Sequence, residues 1–271
     1  VFFIDSLVGW AVGNCGTILK TYNSGAYWFS QNILSSDIFY SIKFVDIQIG
    51  WIAGWHGIIY KTTSGGEGWF AQSSNTNYDL NAIDFVNNNI GWAVGNEGTI
   101  LKTIDGGTSW FVQQSTINSN FKSVDFLDDQ IGWVVGSSGV ILKTTNSGEE
   151  WTLQNSPTSY NLKWIQFLDN HFGWVVGEFG TILKTTNGGV DWISQNSPGN
   201  YNFKSAYFVD TQIGWVIGSN GIIFKTTDGG EQWFFQNTNY TGTQNSVHFT
   251  DYHNGWIVGN YGEILHTTNG G

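Results

Sequence analysis

The side chains that could do chemistry in this chain are few, and their spacing decides most questions about catalysis. A glycosidase needs two carboxyl groups facing each other across about 5 to 9.5 Å. The acids on the variable turns described below are Glu97 and Glu178, with Glu263 just beyond one of them. The first two fall two repeats apart, too wide for such a pair. The histidines, His56, His171, His248, His253 and His266, occupy different places in their repeats, so no metal-ligand spacing recurs. Cys15 is the single cysteine and has no evident base beside it. Glycine-rich strings open strands rather than helices, so they fail the context that a phosphate loop requires. The expectation is no enzyme, no resident metal and no cofactor.

Residues suited to binding are easier to find. Seven turns carry two residues before a fixed glycine: Asn14 and Cys15, Trp55 and His56, Asn96 and Glu97, Ser137 and Ser138, Glu178 and Phe179, Ser219 and Asn220, Asn260 and Tyr261. Nothing in a repeated fold demands these types. The segments joining repeats add Tyr40, Tyr78, Tyr160, Tyr201 and Tyr240. Aromatic side chains among Asn, Ser and Glu can stack on sugars or accept a polypeptide surface, since aromatics are enriched at binding patches. Covering a sheet edge is the plainer role for each tyrosine. The Trp55 and His56 pair, a large aromatic in a turn, argues more strongly for contact with a partner. The binding candidates are Trp55, His56, Glu97, Glu178, Phe179, Tyr261, Tyr160 and Tyr201.

Charge narrows the partner. All 10 basic residues are Lys, and the net charge is −11. Nucleic acid requires a basic footprint, and an anionic membrane surface does as well. Both are excluded on this reading. No run of 18 apolar residues is present, so no segment reads as a membrane-spanning helix. A lone cysteine cannot form an internal disulfide, and so places the chain in no particular redox compartment. The chain starts on Val1 inside a strand-like pattern, which leaves room for a preceding signal peptide or domain.

The elements that must position these residues are copied. A tryptophan following glycine stands at Trp10, Trp51, Trp92, Trp133, Trp174, Trp215 and Trp256, each step being 41 residues. Self-similarity at that period signals a repeat fold. Each copy reads as four short strands separated by turn residues. In the fourth copy these are Phe121 to Leu127, Gly132 to Gly136, Val140 to Thr144, and a strand beginning at Trp151 and carrying Gln154. One position in the first strand is Phe in every copy: Phe3, Phe44, Phe85, Phe126, Phe167, Phe208 and Phe249. That sameness marks a packing layer. The alternate face of the same strand varies as Phe2, Lys43, Asp84, Asp125, Gln166, Tyr207 and His248. Lys43 with Asp84 is the expected ion pair, because buried charges are usually paired.

Between the third and fourth strands lies a second motif. Thr103, Asp105, Gly107 and Trp110 recur with Asn23, Ser64, Asn146, Asn187, Asp228 and Asn269 at the second place. A short polar side chain there accepts backbone N–H groups, glycine supplies positive φ, and the tryptophan plugs the turn onto the sheet. One carboxylate per turn falls short of the six to eight oxygens that calcium takes. Asn23, Ser64, Asp105, Asn146, Asn187, Asp228 and Asn269 are therefore read as structural. These boxes resemble the Asp-box, or BNR, repeat of sialidase-type propellers. With the GWxVGxxGxIxKTxxGGxxW string, they are more similar to the YCF48-like family of photosystem II assembly factors. The resemblance implies a propeller and an assembly role; a sialidase would need Arg for its substrate carboxylate, and the chain has none.

Four antiparallel strands repeated seven times fit an all-β, single seven-bladed β-propeller over residues 1–271. A blade exposes two apolar faces that only its neighbours can cover, which favours closure. Seven full copies would need 287 residues; the seventh copy here ends at Gly271, before its outer strand. That strand would come from residues beyond the sequence, from another molecule in a homo- or hetero-assembly, or not at all. The functional expectation is a non-catalytic binding or assembly module that engages a protein or a polysaccharide through the variable rim. A glycoside hydrolase, whole or partial, is the first alternative, and a subunit of an extracellular or cell-surface assembly is the second. The low content of charged residues and the Asn-rich and Thr-rich surface point to a secreted, periplasmic or cell-surface location.

Overall fold

The computed structural model describes residues 1–271 apart from Asn32 and Leu34. Every repeat becomes an antiparallel meander. In the third, the strands are Leu80–Phe85, Gly91–Gly95, Ile100–Thr103 and Phe111–Val112, hydrogen-bonded in chain order. Trp92 stands opposite Asp84 on one side and Lys102 on the other. Among the described residues six copies have four strands and the seventh has three, Gln244–Phe249, Gly255–Gly259 and Ile264–Thr267. The fold is an all-β seven-bladed propeller, with single 3-10 turns and no α-helix among the described residues.

Strand limits differ slightly from the sequence reading. In the fourth blade the strands are Phe121–Phe126, Gly132–Gly136, Ile141–Thr144 and Thr152–Leu153. Leu127 leaves the first strand because its N–H closes the following turn on Ile131 O at 3.1 Å. Val140 likewise belongs to a turn, its N–H going to Ser137 O. Trp151 precedes the fourth strand, buried against Phe126.

By contacts the chain forms two compact units, Val1–Val134 with Thr144–Thr152, and Val135–Lys143 with Leu153–Gly271. In the first unit, the Phe85 ring stacks on Trp51 of the preceding blade at 3.5 Å. Its edge meets Trp110 of its own blade at 5.8 Å and 89°. A Cβ on Gly91 would lie 2.4 Å from that ring, which explains why glycine precedes the anchor tryptophan. The second unit repeats the arrangement, with Phe208 stacked on Trp174 at 4.1 Å and edge-on to Trp233 at 6.2 Å. An aromatic side chain buries about 150 to 250 Å², so at about 25 cal/mol per Å² each tryptophan contributes roughly 4 to 6 kcal/mol before entropy is counted.

Polar staples then fix one blade to the next. The Trp10 indole N–H donates to Gly65 O at 3.0 Å, and Lys20 Nζ donates to the same carbonyl at 2.8 Å. In the second unit Trp174 and Lys184 share Gly229 O in the same way, at 3.2 and 3.0 Å. The acceptor carbonyl belongs to the box turn of the following blade. Burial pushes the ammonium pKa of Lys61, Lys102, Lys143, Lys184 and Lys225 down, so these lysines are structural rather than surface charges. His266, at the corresponding place in the seventh blade, is exposed and stacks on Trp256 at 4.7 Å. The expected ion pair is present too: Lys43 Nζ lies 2.8 Å from Asp84 Oδ1. The other Asp84 oxygen accepts the Phe126 N–H of the next blade at 2.9 Å.

Candidate binding surface

Each blade has two ends, and the structure assigns them different work. At one end lie the boxes and the turns after the first strand. Thr103 Oγ1 donates to Asp105 Oδ1 at 2.9 Å, the Gly107 N–H donates to Thr103 Oγ1 at 2.8 Å, and the Ser109 N–H donates to Asp105 Oδ1 at 2.8 Å. Asn146 takes the Glu150 N–H at 3.0 Å, and Ser64 takes the Gly68 N–H at 3.1 Å. Amide, hydroxyl and carboxylate thus serve equally as the acceptor. Asp5, Asp46, Asn87, Asp128, Asp169, Asp210 and Asp251 do similar work in the other turn, each accepting two backbone N–H groups. The box turn packs on that turn within its own blade, as when the Gly65 N–H donates to Gln48 O at 2.7 Å.

At the other end, the turn between the second and third strands meets the segment leading to the next blade. Gly57 is fixed there because a Cβ would sit 2.2 Å from Thr76 O of that segment, and its φ is +76°. The segment docks through a side-chain cap. Asp79 Oδ1 accepts the His56 N–H at 3.0 Å, and Asn120 Oδ1 accepts the Glu97 N–H at 3.1 Å. In the second unit Asn161 and Asn202 cap Ser138 and Phe179, both at 3.1 Å. This column of caps escaped the sequence reading, although its 41-residue spacing just before each first strand was visible.

The second residue of the turn, which the caps engage at His56, Glu97, Ser138 and Phe179, is left-handed in backbone: φ is 53° at His56, 54° at Glu97, 54° at Phe179 and 62° at Tyr261. Glycine or asparagine adopts that region with least strain, and Asn220 does so in the sixth blade at 64°. In the first unit, Trp55 stacks on His56 at 3.8 Å and remains 41% exposed. Glu97 is exposed. In the second unit, Tyr160 and Phe179 bring their rings to 4.8 Å, and Tyr261 stands fully exposed at the seventh turn. Tyr201 is half-buried instead, against Phe224 at 5.6 Å, and so covers a blade edge.

Glu178 is engaged rather than poised. Lys163 Nζ lies 2.7 Å from Glu178 Oε1, and Asn161 Nδ2 donates to Oε2 at 2.9 Å. Burial works to raise this carboxyl, but the Lys163 and Asn161 contacts prevail and hold it below its ordinary value. Lys204 is lowered by burial and by repulsion from Lys163, with Glu178 offsetting part. Glu97 belongs to the first unit and Glu178 to the second. Among the described residues, no three His, Cys, Asp or Glu side chains gather as a metal site.

Repeats stapled by indole and lysine to Asp-box turns define a β-propeller of the Asp-box class. The chain belongs to the photosynthesis system II assembly factor YCF48 family, whose description matches residues 69–156, 149–236 and 197–271. That family comprises assembly factors and not enzymes. Among solved structures, YCF48 bound to D1 peptide is similar at 22% identity and a TM-score of 0.82, over 98% of this chain and 90% of that one. YCF48 from Cyanidioschyzon merolae is similar at 20% identity and a TM-score of 0.80, over 99% and 94%. An ancestral GH74 enzyme is similar at 16% identity and 0.71, over 84% of this chain and 36% of that enzyme. At these identities the likeness speaks for the fold alone. No curated protein matches the sequence.

Proposed function

We propose that this chain is a non-catalytic module that binds a polypeptide at the connection end of its blades, with Trp55, His56 and Glu97 as the contact residues of the first unit and Glu178, Phe179, Tyr160 and Tyr261 as those of the second. One observation carries the reading. At the left-handed position of four of the seven turns the chain places His56, Glu97, Phe179 and Tyr261, where asparagine or glycine would cost less. Strain of that kind persists where function uses it. At the box end the corresponding left-handed positions hold only Ser24, Ser147 and glycines. A solved YCF48 bound to D1 peptide supports a peptide as the partner class, and the engaged state of Glu178 argues against a hydrolase.

The test is paired arrays, one of immobilised peptides of varied sequence and one of glycans, probed with the intact chain and with Trp55→Ala and Phe179→Ala. The reading expects peptide spots that weaken at least about tenfold in one or both variants, as loss of an aromatic anchor does. Binding confined to glycans would replace the polypeptide with a polysaccharide. Release of sugar from any spot would restore the enzyme reading.

A further inference from the structure

Three departures from the repeat meet at one corner of the first unit. Where other copies place Asn81, Lys122, Lys163, Lys204 and Asn245 early in the first strand, the second blade has Tyr40. Where the other turns open with Asn14, Asn96, Ser137, Glu178, Ser219 and Asn260, this one opens with Trp55. The cap that is Asn120, Asn161 or Asn202 elsewhere is Asp79 here.

The cap itself requires none of the three. The asparagine caps hold their backbone N–H at 3.1 Å and Asp79 at 3.0 Å, so the negative charge adds nothing to the cap. Yet the backbone brings these residues together. Pairing of Phe39 with Gly54 slips by one residue before Ser41, leaving Tyr40 in a bulge beside the Trp55 turn. The Trp55 N–H donates to Ile38 O at 2.9 Å, and the next N–H, that of His56, goes to Asp79. Burial and then the Asp79 charge raise the Tyr40 phenol, which places the two groups within electrostatic reach. Tyr40 is 44% exposed and Trp55 41%.

Two aromatic rings and a carboxylate in one exposed corner attract a cation, because ring faces carry negative potential. The chain already pairs ammonium with indole internally: Lys20 lies 5.0 Å from the Trp10 ring and Lys61 lies 5.2 Å from the Trp51 ring. Asp37 and Glu97 add negative charge at the same ends of the neighbouring blades. Lys122 opposes them, but its ammonium is committed to Asn96 Oδ1 at 3.2 Å, and Asn96 in turn donates to Asp79. The whole chain carries −11.

We infer that Tyr40, Trp55 and Asp79 form a docking site for a lysine or arginine side chain of a basic partner polypeptide. This rests on the polypeptide-binding reading and adds the charge of the partner. Chain labelled with 5-fluorotryptophan, its Trp55 resonance assigned through Trp55→Phe, is titrated by fluorine NMR with octalysine, octaglutamate and a neutral oligosaccharide at physiological ionic strength. Octalysine is expected to move the Trp55 resonance, with affinity falling about tenfold in Asp79→Asn and in Tyr40→Leu. Asp79→Asn keeps the cap, as Asn120 shows, so unchanged thermal unfolding separates lost binding from lost fold. Equal octalysine affinity in Asp79→Asn overturns the site. A stronger response to octaglutamate overturns the assigned polarity and leaves polypeptide binding standing. A response to the oligosaccharide alone removes both.

Discussion

The smallest unit of this structure is a side-chain oxygen that stands in for a missing backbone partner. Asp105, Asp169, Asp228 and Asp251 each hold a turn this way. The N–H groups of Ser109, Phe172 and Gln232 keep the first three carboxyls below their ordinary pKa, and the Asn254 amide does so for Asp251. A carboxyl whose folded pKa is depressed contributes stability above its unfolded value, and that stability is lost as pH falls through the folded pKa. The melting temperature should therefore decline as pH drops below the ordinary value of 3.8. In Asp105→Asn the decline should be shallower, because Asn146 shows that an amide keeps the bond without titrating. An identical decline in that variant would remove Asp105 from the account. The sequence disclosed the box turns of Asp105 and Asp228, because an acceptor two residues after threonine and two before glycine has few other uses.

At the scale of a strand, the same position can be compared across copies. The first-strand residue that faces inward at the connection end is Phe39, Leu80, Phe121, Leu162 and Phe203, all buried. In the seventh blade it is Gln244, equally buried, and neither its side-chain oxygen nor its nitrogen finds a hydrogen-bond partner among the described residues. A buried amide without partners costs about 1 to 3 kcal/mol. Gln244→Leu should raise stability by about 1 to 2 kcal/mol in urea unfolding; a loss would mean that the amide is satisfied. The strand scale also shows where sequence reading stops. Recurring Trp and Phe announced a packing layer, but a period cannot say which neighbour a side chain faces. The lysine of the repeat string thus gave no sign that it reaches across to the next blade. Trp151 read both as the start of a strand and as the plug of the turn before it, and only the plug holds, since the strand starts at Thr152.

For the whole chain, seven copies and their anchors were legible because each was written repeatedly without insertion. The binding candidates were legible only as departures from the copy, and the structure sorted them by surroundings. Trp55 pairs with His56, Phe179 with Tyr160, while Tyr201 lies against the blade and Glu178 is held by Lys163. No period could have shown those contacts, since each occurs once. The caps at Asp79, Asn120, Asn161 and Asn202 were missed for a related reason: polar residues before a strand look like any loop.

The central claim is that partners meet the chain at the connection end of the blades. Hydrogen exchange by mass spectrometry, with and without the best-bound peptide from the array, tests it most directly, because amides shielded by a ligand exchange more slowly. The account predicts slowed exchange in turn segments 54–57, 95–98 and 177–180 and in the connections that cap them, with the box turns at 103–107 and 226–230 unchanged. Protection confined to the box turns would contradict it.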